Sequence, residues 1–182
     1  MFQRLFARRR RNEAIAYSLY GTIVAQARQP AFYADFGVPD TLDGRFDMIV
    51  LHGFLLFYRL KTEDTDHRRI GQDVFDIFLK DMDRNLREMG VTDMGVPKKL
   101  KKMAEAFYGR VGAYDSALTA GDAAALRDAL ARNIFPDGDG DRAVPQLAAY
   151  VEAAARQAAE QPVDAILAGR IAFPELSSPE AT

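Results

Sequence analysis

Apolar positions along this chain recur at helical spacing, and the stretch 37–114 carries most of the signal. Residues 48–58 are apolar apart from His52 and Gly53. A helix that is hydrophobic on every side must be surrounded, so a helix over about 43–61 is predicted to form the buried centre of the fold. Asp43 is its predicted N-cap, and the polar, acidic run 62–66 its end. The next segment has one apolar stripe: Ile70, Val74, Ile77, Phe78, Met82, Leu86 and Met89. Asp73, Asp76, Lys80, Asp83, Arg87 and Glu88 lie opposite, the signature of an amphipathic helix. A third segment, 97–118, repeats the pattern with Leu100, Met103, Phe107, Val111, Tyr114 and Leu118. Gly90 and Gly95 bracket a short interhelical connection. Pro97 falls in a first turn, where a missing N–H is tolerated.

The flanks read the same way. A helix over about 12–28 aligns Ile15, Leu19, Ile23 and Ala27, and a helical turn over 31–36 precedes the breaker Gly37-Val38-Pro39-Asp40. Past Leu118 the chain turns alanine-rich. Asp122 caps a predicted helix to Asn133 with Leu126, Leu130 and Ile134 inward. A loop over 135–141, a helix over 145–160 and a short one over 162–168 follow, with Gly169 as a stop. The tail from Phe173 has two prolines and little to pack, so it is expected to be mobile. Alternating strands, internal repeats and an interior linker are absent from the pattern. The prediction is an all-α, single-domain bundle of about six to seven helices. It comprises a basic N-terminal helix (1–30), a helical domain (31–172) and a mobile tail (173–182).

Charge sharpens this picture. The net charge of -2 hides an uneven distribution. Residues 1–30 hold six arginines against Glu13 alone, while 115–182 hold five arginines against eleven acids. The cluster Arg8, Arg9, Arg10 and Arg11 beside Phe2, Leu5 and Phe6 reads as a frayed basic terminus. Its alternative is a contact with an anionic membrane surface or ribosomal RNA. An arginine-rich, acid-poor start also resembles a mitochondrial targeting segment, but the basic first helix of a cytoplasmic protein is the preferred reading. No apolar run approaches the roughly 20 residues of a membrane span. The expected location is cytoplasmic, with a peripheral position on the inner face of the cytoplasmic membrane as the variant. Without cysteine, disulfides, zinc-thiolate sites and thiol nucleophiles are excluded.

Candidate chemistry is thin. The loop Asp137-Gly-Asp-Gly-Asp141 offers alternate carboxylates, yet Arg142 and Ala148 stand where an EF-hand needs glycine and glutamate, so it reads as a solvated turn. His52 reads as a hydrogen-bonded core residue, and His67 as part of a polar loop beside Asp64 and Asp66. Asp81 and Asp83 point in different directions on a helix, and Asp83 with Arg87 makes an i,i+4 pair. No nucleophile elbow, phosphate loop or dinucleotide fingerprint is present. No metal, cofactor or small-molecule substrate is predicted. Lys98, Lys99, Lys101 and Lys102 occupy opening turns of a helix, where the macrodipole disfavours cations. They fit an anionic partner or a solvated face relieved by Asp93 equally well. Gly109 and Gly112 cost about 1 kcal/mol each relative to alanine, which points to a closely packed neighbouring helix. Met82, Met89, Met94 and Met103 read as core.

Three phrases, GVPDTLDGRFDMIVLHGFLLFYRLK, DVFDIFLKDMDRNLREMGV and KKLKKMAEAFYGRVGAYD, taken together resemble the ubiquinol-cytochrome c chaperone family over about residues 36–118. The resemblance implies a helical, non-enzymatic assembly factor for respiratory complex III. Its implied client is newly made cytochrome b. The family's mitochondrial members work with a small partner protein near the ribosomal tunnel exit, and the absence of a long targeting extension suits a bacterial-type member. Within the shared segments, Asp81, Asp83, Arg84, Arg87, Tyr108, Arg110 and Tyr114 become candidates for a client-facing or a structural surface. An exposed groove along the helices over 70–89 and 97–118 is the expected client site. A helical adaptor recruited to membrane or ribosome by its basic segments is the rival reading. An enzyme would need a deep pocket with a perturbed group near His52 or His67.

Overall fold

The computed structural model describes residues 2–138, 140 and 142–176, with 2–9 as backbone. Eight α-helices run through these residues: α1 (Phe2–Ala27), α2 (Pro30–Ala34), α3 (Leu42–Leu60), α4 (Thr65–Glu88), α5 (Val96–Ala120), α6 (Ala123–Ile134), α7 (Ala143–Glu160) and α8 (Val163–Leu167). Six are long, and α2 and α8 are single turns of five residues. The described chain is all-helical, as predicted.

The buried centre is α3, which touches α1, α4, α5, α6 and α7. Met48, Val50, Leu51, Phe54, Leu55 and Leu56 are fully enclosed, because their neighbours come from every side. Thr41, not Asp43, caps this helix: its side chain accepts from the Gly44 N–H at 3.1 Å. Asp43 sits in the first turn, where its charge still suits the positive helix end. Gly44 is required there, since a Cβ would lie 2.0 Å from the Pro39 carbonyl oxygen. The first helix starts about ten residues earlier than predicted, because the stretch before Asn12 contains no breaker.

Contacts along α3 set the directions of the other helices. Phe46 meets Phe78, with ring centroids 5.8 Å apart, while Gly71 faces Phe57 and Leu60, so α3 and α4 are antiparallel. His52 meets Tyr150, and Arg59 donates to the Gln161 carbonyl, so α3 and α7 run together. Gln26 reaches Tyr150 while Ser18 reaches Gly169, so α1 opposes α7. The free start of α1 and the α4–α5 turn therefore lie at opposite ends of the bundle.

Several packing expectations change. Gly53, not Gly109 or Gly112, faces a neighbouring helix, although a Cβ there would meet Phe107 at 3.5 Å, an ordinary van der Waals contact. Gly109 and Gly112 face open space on the outer side of α5. Met82 is buried and Met103 packs against the core, but Met89 and Met94 are exposed at the α4–α5 turn. The tail is not free from Phe173 onward, because Phe173 sets its ring edge-on to His52 at 5.1 Å and Leu176 packs on the core. Residues 177–182 of the predicted mobile tail, and Asp139 and Asp141 of the acidic loop, lie outside the described residues.

Candidate functional site

One set of buried polar residues is satisfied by a hydrogen-bond chain that crosses three helices. His52 is completely buried. Its Nδ1–H donates to the Met48 carbonyl at 2.7 Å, because a carbonyl oxygen can only accept. Nε2 then accepts from the Tyr150 hydroxyl at 2.8 Å, and that oxygen accepts from Gln26 at 3.1 Å. Burial pushes the imidazole pKa down to about 4, so the ring is neutral at physiological pH. Phe32 and Phe173 meet it edge-on and Tyr150 at a tilt. His52 is a structural residue. His67 is not in a loop: it lies in the first turn of α4, where Asp64 caps its N–H at 2.9 Å. Its ring stands 3.3 Å from Asp64 and 3.9 Å from Glu63. Among the described residues, His, Asp and Glu side chains form no group suited to hold a metal ion.

A second buried pair joins α3 to α5. Asp47 is enclosed, and Arg110 places Nη2 2.8 Å from its carboxylate while the guanidinium lies over the Phe46 ring at 5.7 Å. The contact is close but poorly directed, so Asp47 Oδ1 lacks a well-formed hydrogen bond, and Arg110 Nε is also without a partner. Burial pushes the Asp47 carboxyl up to about 7; Arg110 holds it back and Asp43 adds to the rise. Asp47 carried no sequence signal, since its partner stands far along the chain.

The family-derived candidates divide by burial. Tyr114 is fully enclosed, with its ring 5.5 Å from Phe54 and its hydroxyl 3.5 Å from Asn133. Asp81 accepts from the Tyr20 hydroxyl at 2.9 Å and from Arg84 at 2.6 Å, tying α4 to α1. Burial, then Asp81 itself, pushes the Tyr20 hydroxyl pKa up. Asp83 pairs with Arg87 at 2.7 Å, and Arg87 also holds Asp93. Tyr108 lies half open on the outer face, its ring tilted against Phe75 at 4.9 Å.

The lysines are outermost. Lys98, Lys99, Lys101 and Lys102 are all exposed, and of these only Lys101 has an ion pair, with Glu105 at 3.8 Å. Asp93 does not relieve them, because Arg87 engages it. Arg10 and Arg11 are exposed near the start of α1, at the other end of the bundle; the side chains of Arg8 and Arg9 lie outside the described residues. The two basic segments do not form one patch.

The expected groove is displaced. The apolar stripe of α4 from Ile70 to Leu86 is buried in the core, so it lines no open surface. A cleft of about 380 Å³ lies instead where α5 turns into α6 beside α7. Ala117, Leu118, Leu126 and Ala155 line it with Tyr58, while Asp122, Glu152 and Arg156 supply its polar groups. Gly121, at φ 65°, makes the tight α5–α6 turn and Asp122 caps α6 at 2.9 Å. Small side chains at the contacts leave the space open. The alanines were legible as helix formers, but only the crossing of three helices makes them a cleft.

No described helix is long and apolar enough to cross a membrane. The geometry is that of a helical bundle with an outer cleft and a charged turn. Its family is now identifiable. The family model for ubiquinol-cytochrome C chaperone matches residues 34–173, and the chain belongs to that family. It is 46% identical to a chain in the crystal structure of the Cbp3 homolog from Brucella abortus. That similarity has a TM-score of 0.85 and covers 96% of this chain and 97% of the other. It is also 25% identical to ubiquinol-cytochrome-c reductase complex assembly factor 1 from Xenopus laevis, over 75% of this chain and 68% of that protein.

Proposed function

We propose that this protein is a non-enzymatic assembly chaperone that binds newly made cytochrome b and delivers it to the ubiquinol-cytochrome c reductase complex. The observation that carries the reading is the family match over residues 34–173. The Xenopus relative, whose name ties it to assembly of that complex, supports it. A membrane subunit awaiting assembly exposes apolar helices, and a chaperone must cover part of that surface. The α5–α6–α7 cleft suits such a client, because its floor is alanine and leucine and its polar groups carry both charges. A ribosome contact and a small partner protein belong to the same proposal. The adaptor reading is less well supported, because the two basic segments stand at opposite ends of the bundle.

Crosslinked co-purification from the host, read by mass spectrometry, tests this against an Ala159→Trp variant. Ala159 lies at the exposed rim of the cleft, so the indole would block the opening without entering the core. Cytochrome b is expected with the wild type and about fivefold less with the variant, the loss that about 1 kcal/mol of contact energy produces. Equal recovery would remove the cleft from the mechanism. Failure to recover cytochrome b at all would overturn the chaperone reading.

A further inference from the structure

The α4–α5 turn combines two features that client binding in the cleft leaves unused. Met94 is 93% exposed and Met89, across the same turn, is 57% exposed. Neither side chain packs into the core, so stability alone gives no reason for two large apolar groups there. Beside them, Lys98, Lys99, Lys101 and Lys102 project from the opening turns of α5. That helix has no acidic residue in its first turn and no side-chain cap. Four ammonium groups therefore stand against the positive end of the helix dipole. Nearby carboxylates are engaged elsewhere: Asp83 and Asp93 by Arg87, and Glu88 near Arg84 at 4.0 Å. Lys101 alone has a carboxylate, Glu105 at 3.8 Å, so apolar tips flanked by three unpaired lysines and one paired one form a surface complementary to a bilayer with anionic headgroups.

We infer that this turn is a peripheral membrane contact, with Met89 and Met94 entering the headgroup–acyl boundary and the lysines held at lipid phosphates. Unbranched thioether chains fit an irregular acyl boundary, and lysine can lay its methylenes along it while the ammonium stays at the phosphates. Nucleic acid is the poorer match. Single-stranded RNA is bound through aromatic rings and planar guanidinium groups, and residues 89–102 contain neither an aromatic residue nor an arginine. Leu42, also exposed, lies outside the contact because Asp40 and Asp43 flank it. The cleft begins about twenty residues further along α5, roughly 30 Å away, so a client and a membrane can be held together. The inference does not depend on what the client is.

Flotation of the full chain with lipid vesicles tests it, comparing pure phosphatidylcholine with phosphatidylglycerol-enriched membranes at low and high salt. The wild type is expected to float with the anionic vesicles only, and less as salt rises. Met89→Ser with Met94→Ser is expected to lower partitioning by about tenfold or more, from lost apolar burial. Changing the four lysines to glutamate is expected to abolish it, and Arg10→Glu with Arg11→Glu to leave it unchanged. These positions are exposed, and circular dichroism checks that each variant keeps its helices. Absence of flotation, flotation indifferent to the methionines, or loss in the arginine variant would each overturn the proposal. Binding to single-stranded RNA through the lysines, without flotation, would also overturn it and assign the cluster to nucleic acid.

Discussion

The His52 layer and the α4–α5 turn treat polar groups in opposite ways. Inside, Gln26, Tyr150, His52 and the Met48 carbonyl form a continuous donor-to-acceptor chain, and rings close around it. A buried polar group without a partner is costly, so an interior histidine persists only with both nitrogens satisfied. At the turn, Lys98, Lys99 and Lys102 stand without carboxylates, Lys101 has only the exposed Glu105, and methionines stand in water. Solvent makes that arrangement tolerable, but it stabilises nothing in the isolated chain. The contrast separates residues kept for the fold from residues free to meet a partner. It also explains why Arg110 and Tyr114, both family candidates, belong with the interior while Tyr108 and the lysines belong outside.

The contrast can be broken from its buried side first. Arg110→Ala strands the Asp47 carboxylate, and removing one partner of a buried pair costs about 3–5 kcal/mol. With its folded pKa raised, Asp47 binds a proton that the unfolded chain has lost, so stability should fall as pH rises through about 7. Urea unfolding should therefore show a larger loss at pH 8 than at pH 6. A loss that does not change with pH would assign Arg110 a packing role alone.

His52 gives the next effect, with the opposite sign. Folding holds the ring neutral down to about pH 4, while the unfolded chain takes up a proton near 6.5. This contribution is complete above pH 6.5 and lost as pH falls toward 4, up to about 3 kcal/mol. His52→Leu should flatten that part of the acid limb, whatever its stability at neutral pH. Tyr150→Phe is milder. It leaves His52 Nε2 and the Gln26 amide without their shared partner, at about 1–3 kcal/mol, measurable as a lower melting temperature. Smallest of all, Met89→Ser with Met94→Ser should change stability by no more than about 0.5 kcal/mol. If that pair instead destabilised the protein strongly, the turn would belong to the fold, and the distinction between the two regions would fail.

Local patterning made much of this legible. The all-apolar run 48–58 marked the centre, and the stripe from Ile70 to Leu86 marked the inward face of α4, because burial imposes a period that the sequence must carry. Asp122 and Gly169 began or ended helices where short-range chemistry required. Signals that depended on a single nearby choice were less secure: Thr41 took the cap assigned to Asp43, since either side chain could reach an early N–H. The exposed methionines broke the pattern at the turn, where the helical period no longer governs which way a side chain faces.

By itself, then, the sequence determined a helical bundle, its central helix, its inward faces and its family resemblance, since each is written in spacing or in contiguous phrases. Tertiary structure alone decided that Asp47 meets Arg110, that Tyr150 completes His52, that Phe173 returns to the core, and that alanines from three helices leave a cleft. It also placed the two basic segments at opposite ends. These relations join residues distant in the chain through helix directions and crossings, and no local periodicity encodes them.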